Sequence, residues 1–173
     1  YAFMNCTKLT TVSLPEKLGT IGSHAFEGCT KLQTITLPEE LVSVGYRAFY
    51  NCKGLKTLTV KSKRLNSFDG SGNTFAYAGK DSGGFSVVFT NTVTQIPGYM
   101  FDCSDSTYAR LTGATINSTV ESIGQYAFYN CYDLSTVIID TNSKLASIGN
   151  CAFGYYTALR ELRRNGQAPY IST

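Results

Sequence analysis

Apolar and polar positions repeat along this chain with a period of about 25 residues. Seven phenylalanines mark the repeat at intervals of 23, 23, 26, 26, 27 and 25 residues: Phe3, Phe26, Phe49, Phe75, Phe101, Phe128 and Phe153. A period between about 20 and 50 residues indicates one supersecondary unit stacked on copies of itself. The pattern therefore predicts a repeat solenoid with an elongated core.

The second copy shows the elements of the unit most clearly. It reads Leu18-x-x-Ile21-Gly22-x-x-Ala25-Phe26-x-Gly28-Cys29-x-x-Leu32-x-x-Ile35-x-Leu37-Pro38. Apolar residues alternate with Thr at its end, which predicts a half-buried strand. A second short strand is predicted at Thr20-Ile21-Gly22. The segment around Phe26 is too short for an independent helix, and we expect it to form a single helical turn.

A unit of this size cannot bury its apolar residues alone. Copies stacked in phase place equivalent side chains on each other, so we interpret the repeated Leu, Ile and Phe as core residues. Five cysteines lie at or next to one slot, three residues after the Phe: Cys6, Cys29, Cys52, Cys103 and Cys131. We expect them to form an inward column of reduced thiols. Cys151 shares the slot of His24, which is predicted to face outward, and is the expected accessible thiol.

The repeat is irregular in its later copies. The fourth copy, with a loop at about residues 61–90, has Ala78 in the Cys slot and Gly84 where a Leu is expected, so its strand is predicted at Val87 and Phe89. The fifth copy has extra residues, and a bulged loop is expected over residues 103–110. Residues from about 163 to 173 are polar and predict a C-terminal cap.

The motif from Ile21 to Pro38 closely resembles the BspA-like leucine-rich repeat of bacterial surface antigens, and the resemblance covers essentially all 173 residues. It implies one right-handed leucine-rich-repeat solenoid of about seven turns of 23–27 residues over residues 1–173. Short parallel strands would lie on the concave face, with short strands or single helical turns elsewhere. The resemblance also implies a secreted or surface-attached bacterial protein, in some cases adhesive, and it supplies no catalytic residues.

Composition narrows the possible functions. The formal net charge of +3 gives little support to a nucleic-acid-binding protein. Two basic clusters, Lys61-Lys63-Arg64 and Arg160-Arg163-Arg164, are interpreted as solvated loop and cap residues. No stretch approaches the ~20 apolar residues of a membrane span. The chain opens within a repeat, at Tyr1, and we expect it to be part of a longer polypeptide whose targeting signals lie elsewhere.

Candidate chemistry is sparse. The single histidine, His24, has no partner at a recognisable spacing, and the cysteine spacing is unlike that of a zinc site. The segment Asp69 to Asn73 resembles the start of a calcium loop, but Lys80 stands where the bidentate Glu is required. We therefore predict no enzyme activity, no metal and no cofactor.

The polar residues of the main strands form two predicted columns on the concave face. One column reads Thr11, Thr34, Thr57, Ser86, Gly113, Thr136 and Glu161, and the other Ser13, Thr36, Thr59, Val88, Thr115, Ile138 and Arg163. Threonine is a good strand residue, so these columns have a structural explanation. They could also offer hydroxyl groups to a ligand, and the candidate contact residues are Thr11, Ser13, Thr34, Thr36, Thr57, Thr59, Thr115 and Thr136.

Twelve tyrosines suggest a second contact surface, because Tyr is enriched where proteins meet. The predicted aromatic patch consists of Tyr46, Tyr50, Tyr126 and Tyr129. Our preferred hypothesis is a non-catalytic module of a cell-surface or secreted protein that binds a host protein, a matrix protein or a glycan. The alternative is a structural spacer without a ligand of its own.

Overall fold

A computed structural model describes residues 1–68, 73–102, 109–154 and 161–164. Within these ranges the strands are β1 (Thr20–Ile21), β2 (Thr34–Leu37), β3 (Ser43–Val44), β4 (Thr57–Val60), β5 (Ser67–Phe68), β6 (Phe85–Phe89), β7 (Gln95–Ile96), β8 (Leu111–Ile116), β9 (Ser122–Ile123), β10 (Thr136–Ile139), β11 (Ser147–Ile148) and β12 (Glu161–Arg164). They build a parallel-strand solenoid. Four segments lie outside the described residues: 69–72 in the loop of the fourth copy, 103–108 in the expected bulged loop, 155–160, and 165–173 in the expected cap.

One face of the solenoid is a six-stranded parallel sheet in the order β12-β10-β8-β6-β4-β2. The short strands form two three-stranded sheets, β1-β3-β5 and β11-β9-β7. Six strands joined by five connections make about five turns in the described ranges, fewer than the seven expected. The first coil joins the main sheet only through a bridge between Thr11 and Thr34, and little beyond residue 154 is described.

The register of the main sheet confirms the two predicted columns from the second coil onward. Thr34, Thr57, Ser86, Gly113, Thr136 and Glu161 pair in one line, and Thr36, Thr59, Val88, Thr115, Ile138 and Arg163 pair in the other. Buried residues alternate with these, as in β2, where Ile35 and Leu37 are buried between exposed threonines. Arg163 and Arg164 belong to β12 rather than to the expected cap.

The seven phenylalanines form a continuous column inside the solenoid, as the period predicts. Adjacent ring centroids along it lie 5.0 to 5.5 Å apart. Phe49, Phe75, Phe101 and Phe128 are fully buried, whereas Phe3 in the first coil is 44% exposed. This spacing is close to the ~4.8 Å between paired strands, so the coils are stacked in matched phase.

The degraded fourth copy keeps the core continuous by a local change of register. The predicted strand residues Val87 and Phe89 are confirmed in β6. Gly84 has no side chain to fill the Leu slot, and the adjacent Phe85 is buried, 6.3 Å from Phe75 and 6.2 Å from Phe101 between ring centroids. The pairing of β6 with β8 shifts between Phe85 and Ser86 to accommodate this substitution.

The segments around each Phe are turns, and no helix occurs in the described ranges, so the helical turns expected there were wrong. Alternate N–H groups in these turns point along the solenoid: those of His24, Phe26 and Gly28 donate to the carbonyls of Tyr46, Ala48 and Tyr50 at 2.8, 2.8 and 2.9 Å. The residues at the start of the turn have left-handed backbones, with φ between 52° and 58° at His24, Arg47, Tyr99, Tyr126 and Cys151. A left-handed residue interrupts a right-handed helix.

Most copies have a glycine after the short strand, and the constant distance between coils explains it. A Cβ atom added at Gly124 would lie 2.3 Å from the backbone nitrogen of Gly98 in the preceding coil. At Gly149 it would lie 2.3 Å from the backbone nitrogen of Gln125. Any side chain at these positions would push two coils apart, so the glycines permit the close backbone approach.

The cysteine column is confirmed for three members and wrong for one. Cys29, Cys52 and Cys131 are buried free thiols, but Cys6 is exposed because it belongs to the first coil. The Cys52 thiol donates to the carbonyl of Phe26 in the preceding coil, with Sγ and O 3.3 Å apart. Cys29 and Cys131 donate in the same way to the preceding Phe carbonyls, at 3.1 and 3.4 Å. The slot therefore favours a small apolar residue, and a cysteine there adds one hydrogen-bond donor that Ala78 lacks in the fourth copy.

Cys151 does not have the accessibility expected of it. Its side chain is partly buried, so Cys6 is the most accessible of the described thiols. Cys103 lies outside the described residues. Burial raises the pKa of the Cys29 thiol, and burial together with the neighbouring Cys29 raises that of Cys52 far above its ordinary value.

The glycine contacts predict the effect of a methyl group on stability. Gly124→Ala should lower the free energy of unfolding by about 1–3 kcal/mol, because the added Cβ meets only backbone atoms that cannot rotate away. Gly22→Ala is the matched control, since Gly22 occupies the same motif position with nothing within 4 Å of the added atom. Chemical denaturation of the two variants measures the difference, and equal stability would contradict the close approach.

The burial of Cys52 predicts its reactivity. The thiolate is the reactive species, so a raised pKa and an enclosed sulfur should both protect Cys52 from iodoacetamide in the native protein. We expect no labelling of Cys52 between about pH 7 and about pH 9 unless the chain is unfolded, whereas the exposed Cys6 should react in the native state. Peptide mass spectrometry separates the two sites. Labelling of native Cys52 at the rate of Cys6 would disprove the enclosed column.

Candidate binding surfaces

The outer face of the main sheet carries most of the predicted contact residues. The first three coils contribute a compact array of hydroxyl side chains: Thr11, Ser13, Thr34, Thr36, Thr57 and Thr59. Thr34 and Thr36 are exposed, and Thr57 and Thr59 are half-buried. We call these six residues the hydroxyl array. The sequence predicts it because parallel pairing in register keeps equivalent residues on one face.

The later coils do not continue the array without interruption. Thr115 is exposed and Thr136 is half-buried, but Val88, Gly113 and Ile138 lie among them in the two columns. The eight predicted contact residues therefore divide into the six of the array and two that are separated from it. The sequence columns already contained these interruptions.

The hydroxyl groups of the array differ in their hydrogen bonding from a set of hydroxyl groups that join neighbouring coils. Among the described residues, the hydroxyl groups of Thr34, Thr36, Thr57 and Thr59 donate no hydrogen bond to a side chain or to a carbonyl. By contrast, Ser62, Thr90, Thr92, Thr112 and Thr119 donate to main-chain carbonyls of a neighbouring coil. The array therefore leaves its hydroxyl groups available to solvent or to a ligand.

Charged residues border the array on one side. A cavity of about 220 Å³ lies beside Ser13 and Thr36, and its wall includes Glu16 and Lys61, which form an ion pair with N and O 3.7 Å apart. Lys63 is 2.9 Å from Glu40 and 3.2 Å from Glu39, and Arg64 is 3.3 Å from Glu40. The hydrogen bond to Lys63 lowers the pKa of the Glu40 carboxyl. The hydrogen bonds that Lys63 donates to Glu40 and Glu39 raise the pKa of Lys63.

These contacts give the first basic cluster of the sequence a structural role. Each cation of Lys61, Lys63 and Arg64 has a carboxylate from an earlier coil within 4 Å. The cluster is thus neutralised along this edge of the solenoid, which agrees with its interpretation as solvated loop residues. The side chains of the second basic cluster lie outside the described part of the chain.

The four tyrosines of the predicted aromatic patch form two separate groups. Tyr126 lies 5.0 Å from Tyr129 and 5.2 Å from Tyr99 between centroids. Tyr46 and Tyr50 lie on either side of Arg47, whose guanidinium carbon is 5.1 Å and 4.5 Å from their ring centroids. All four predicted tyrosines are half-buried rather than exposed, because they pack on the turns of neighbouring coils.

Sequence reasoning missed three residues of the aromatic surface. Tyr77 contacts Tyr50 edge to face at 5.4 Å, and Lys80 lies over the Tyr77 ring with Nζ 5.5 Å from the centroid. Arg47 joins the two tyrosines that flank it. The available signal was the spacing of three residues between each cation and a tyrosine, Arg47 to Tyr50 and Tyr77 to Lys80.

His24 is held by structural contacts rather than poised for chemistry. Its Nδ1 contacts the Glu27 carboxylate, and its ring stacks on Tyr1 at 4.7 Å and meets Tyr46 edge to face at 5.3 Å. The thiol of Cys29 is directed instead to the carbonyl of Phe3. Among the described residues no group of three or more His, Cys, Asp or Glu side chains could hold a metal ion. The part of the chain that the structure describes also has no helix long and apolar enough to cross a membrane.

Comparison with known proteins places this geometry in a family. The profile of the BspA type leucine rich repeat region matches six copies over residues 1–107 and 71–173. No curated protein matches the chain significantly. Among solved structures, the chain is similar to a leucine-rich repeat protein of T. pallidum, with 31% identity, a TM-score of 0.58, and coverage of 91% of this chain and 68% of that protein.

A leucine-rich cell surface protein of Faecalibacterium prausnitzii is also similar, with 23% identity and a TM-score of 0.46 over 88% of this chain and 38% of that protein. The family profile matches more than half of the chain, and the T. pallidum structure supports the repeat architecture described above. The chain therefore belongs to the BspA-type leucine-rich repeat family.

Proposed function

We propose that the chain is a non-catalytic binding module of a cell-surface or secreted protein. It engages a host protein, a matrix protein or a glycan through the outer face of its main sheet. The repeat family supports a protein-binding role at this coarse level. Concave repeat surfaces commonly serve this purpose because each coil adds one row of side chains to an extended contact area.

The observation that carries the proposal is the free hydroxyl chemistry of the array. Threonines of a strand support a sheet whether or not they bind a ligand, so their presence alone is not informative. Their bonding adds to the argument, because the hydroxyl groups of Thr34, Thr36, Thr57 and Thr59 donate to no carbonyl within the described residues and stay available to a partner, unlike those of Thr90, Thr92 and Thr119. Each array hydroxyl can both donate to and accept from a partner.

A catalytic role has less support from the same residues. Hydrolytic chemistry needs a nucleophile or activated water, a base and an oxyanion-stabilising group held within hydrogen-bond reach. The array contains hydroxyl groups, and its nearest charged pair, Glu16 and Lys61, is exposed at the rim. The spacer hypothesis differs from the binding module in predicting no partner at all.

Substitution of the array by valine tests the proposal. Valine keeps the branched shape and strand preference of threonine but removes the hydroxyl, so Thr34→Val, Thr36→Val and Thr57→Val together should abolish partner retention at nearly unchanged thermal stability. A glycan and matrix-protein array probed with the unmodified chain identifies the partner. The spacer hypothesis is supported if the chain retains no protein or glycan.

The matched control changes three exposed threonines away from this face, Thr20, Thr94 and Thr141. This triple valine variant should retain the partner as the unmodified chain does. Loss of binding in both triple variants would place the contact elsewhere and contradict the role of the array.

A further inference from the structure

Two groups of cations on the solenoid differ in how their charge is balanced. Lys61, Lys63 and Arg64 each lie within 4 Å of a glutamate. Arg47 and Lys80 have no carboxylate within that distance in the described ranges, and both are held over tyrosine rings. The fold neutralises the first group with acidic residues, whereas the second group keeps its charge available to a partner.

The second group forms one connected surface across the third and fourth coils. Arg47 lies 4.5 Å from the Tyr50 ring, Tyr50 lies 5.4 Å from Tyr77, and Lys80 lies 5.5 Å from Tyr77. We call Arg47, Tyr50, Tyr77 and Lys80 the cation–tyrosine cluster. Both cation distances are within the ~6 Å typical of cation–π contacts. The two tyrosines orient the cations and limit their freedom, so less conformational entropy is lost when an anion binds.

The backbone at this cluster favours a role beyond folding. Tyr77 has φ of 60° and takes the turn position that Asn5, Gly28, Asn51 and Asn130 occupy in other coils, also with positive φ. Glycine and asparagine adopt this conformation readily, whereas a bulky side chain is unfavourable there. Arg47, with φ of 52°, also has a left-handed backbone, as do His24, Tyr99, Tyr126 and Cys151 at the same position of other coils. Tyr77 is therefore the departure from the repeat, and strained residues of this kind concentrate at functional sites.

The polar groups of the cluster are hydrogen-bond donors. Partial burial, with Tyr77 beside it, raises the pKa of the Tyr50 phenol above its ordinary value, so this phenol stays protonated at neutral pH. The Nε atom of Arg47 is buried and has no hydrogen-bond partner among the described residues. Guanidinium groups bind the oxygens of sulfate and carboxylate groups well, because their donors match the geometry of these oxyanions.

We propose that the cation–tyrosine cluster binds a sulfated polysaccharide. The two cations would contact sulfate groups, and the phenol groups would donate to ring or hydroxyl oxygens of the sugar. A nucleic acid is a weaker fit, because its affinity comes mainly from many phosphate contacts along the backbone and the cluster offers two cations. The site is separate from the hydroxyl array and does not depend on the binding function proposed for it.

The test measures the affinity of the whole chain for a fluorescein-labelled heparin oligosaccharide by fluorescence anisotropy at about 0.15 M salt. Arg47→Gln with Lys80→Gln should weaken binding at least about tenfold, because both charge-assisted contacts are lost. The matched control is Lys63→Gln with Arg64→Gln, which removes one lysine and one arginine charge from the neutralised group. It should change the affinity by less than about twofold.

Further variants separate binding from folding. Lys80 is exposed, so Lys80→Gln alone should weaken binding without lowering the thermal stability, even if the double variant is destabilised. Tyr50→Phe with Tyr77→Phe keeps the rings and removes the phenol donors, and it should weaken binding less than loss of the cations. The triple valine variant of the hydroxyl array should bind the oligosaccharide like the unmodified chain.

Several results would overturn the proposal. These are no binding by the unmodified chain, equal weakening by the two double glutamine variants, or equal affinity for desulfated heparin. The unmodified chain could also bind a polyglutamate peptide or a DNA oligonucleotide as tightly as heparin. If the Arg47 and Lys80 variant lost that binding, the cluster would be assigned to a different anionic partner. The heparin measurement does not depend on whether the valine variants of the hydroxyl array lose their partner. Each experiment therefore tests one site.

Discussion

Hydrogen bonding between successive coils is the constraint on which the rest of the structure depends. Main-chain N–H groups donate along the solenoid in the sheets and in the turns, as Phe26 does to Ala48 at 2.8 Å. These bonds fix the coil spacing near the ~4.8 Å of paired strands, and the phenylalanine centroids follow at 5.0 to 5.5 Å. Equivalent side chains must then lie on each other, and each motif position becomes one continuous row.

This constraint determines which residue types are tolerated in each row. A row that faces neighbouring backbone needs glycine, as the 2.3 Å approach at Gly124 shows. A row beside a buried carbonyl benefits from a small donor, and Cys52 provides one to Phe26 while remaining apolar enough for the core. Such polar satisfaction matters because each unpaired buried group costs about 1–3 kcal/mol. The repeated motif therefore describes the requirements of stacking, not those of a ligand.

The sequence predicted the parts of the structure that follow from this repetition. The two columns, including Val88 and Ile138, appear in the sheet in the predicted register, because parallel pairing copies the sequence alignment into space. The turns were predicted less well. Their left-handed residues include His24, Arg47 and Tyr126, and none of these side chains signals positive φ as a glycine would. The exposure of Cys6 also could not be inferred from its slot, because it depends on the position of the coil in the array.

The surface required information that a single motif does not contain. The pairing of Lys63 with Glu39 and Glu40 crosses from one coil to the next, and so does the contact of Tyr50 with Tyr77. Repeated threonines are explained by strand pairing, so they carry little information about a specific partner. The cation–tyrosine cluster is not repeated in the other described coils, and four of these coils place asparagine or glycine where it has Tyr77. Specificity in such a solenoid is therefore expected where the side chains depart from the repeat, because the fold itself accounts for the positions that obey it.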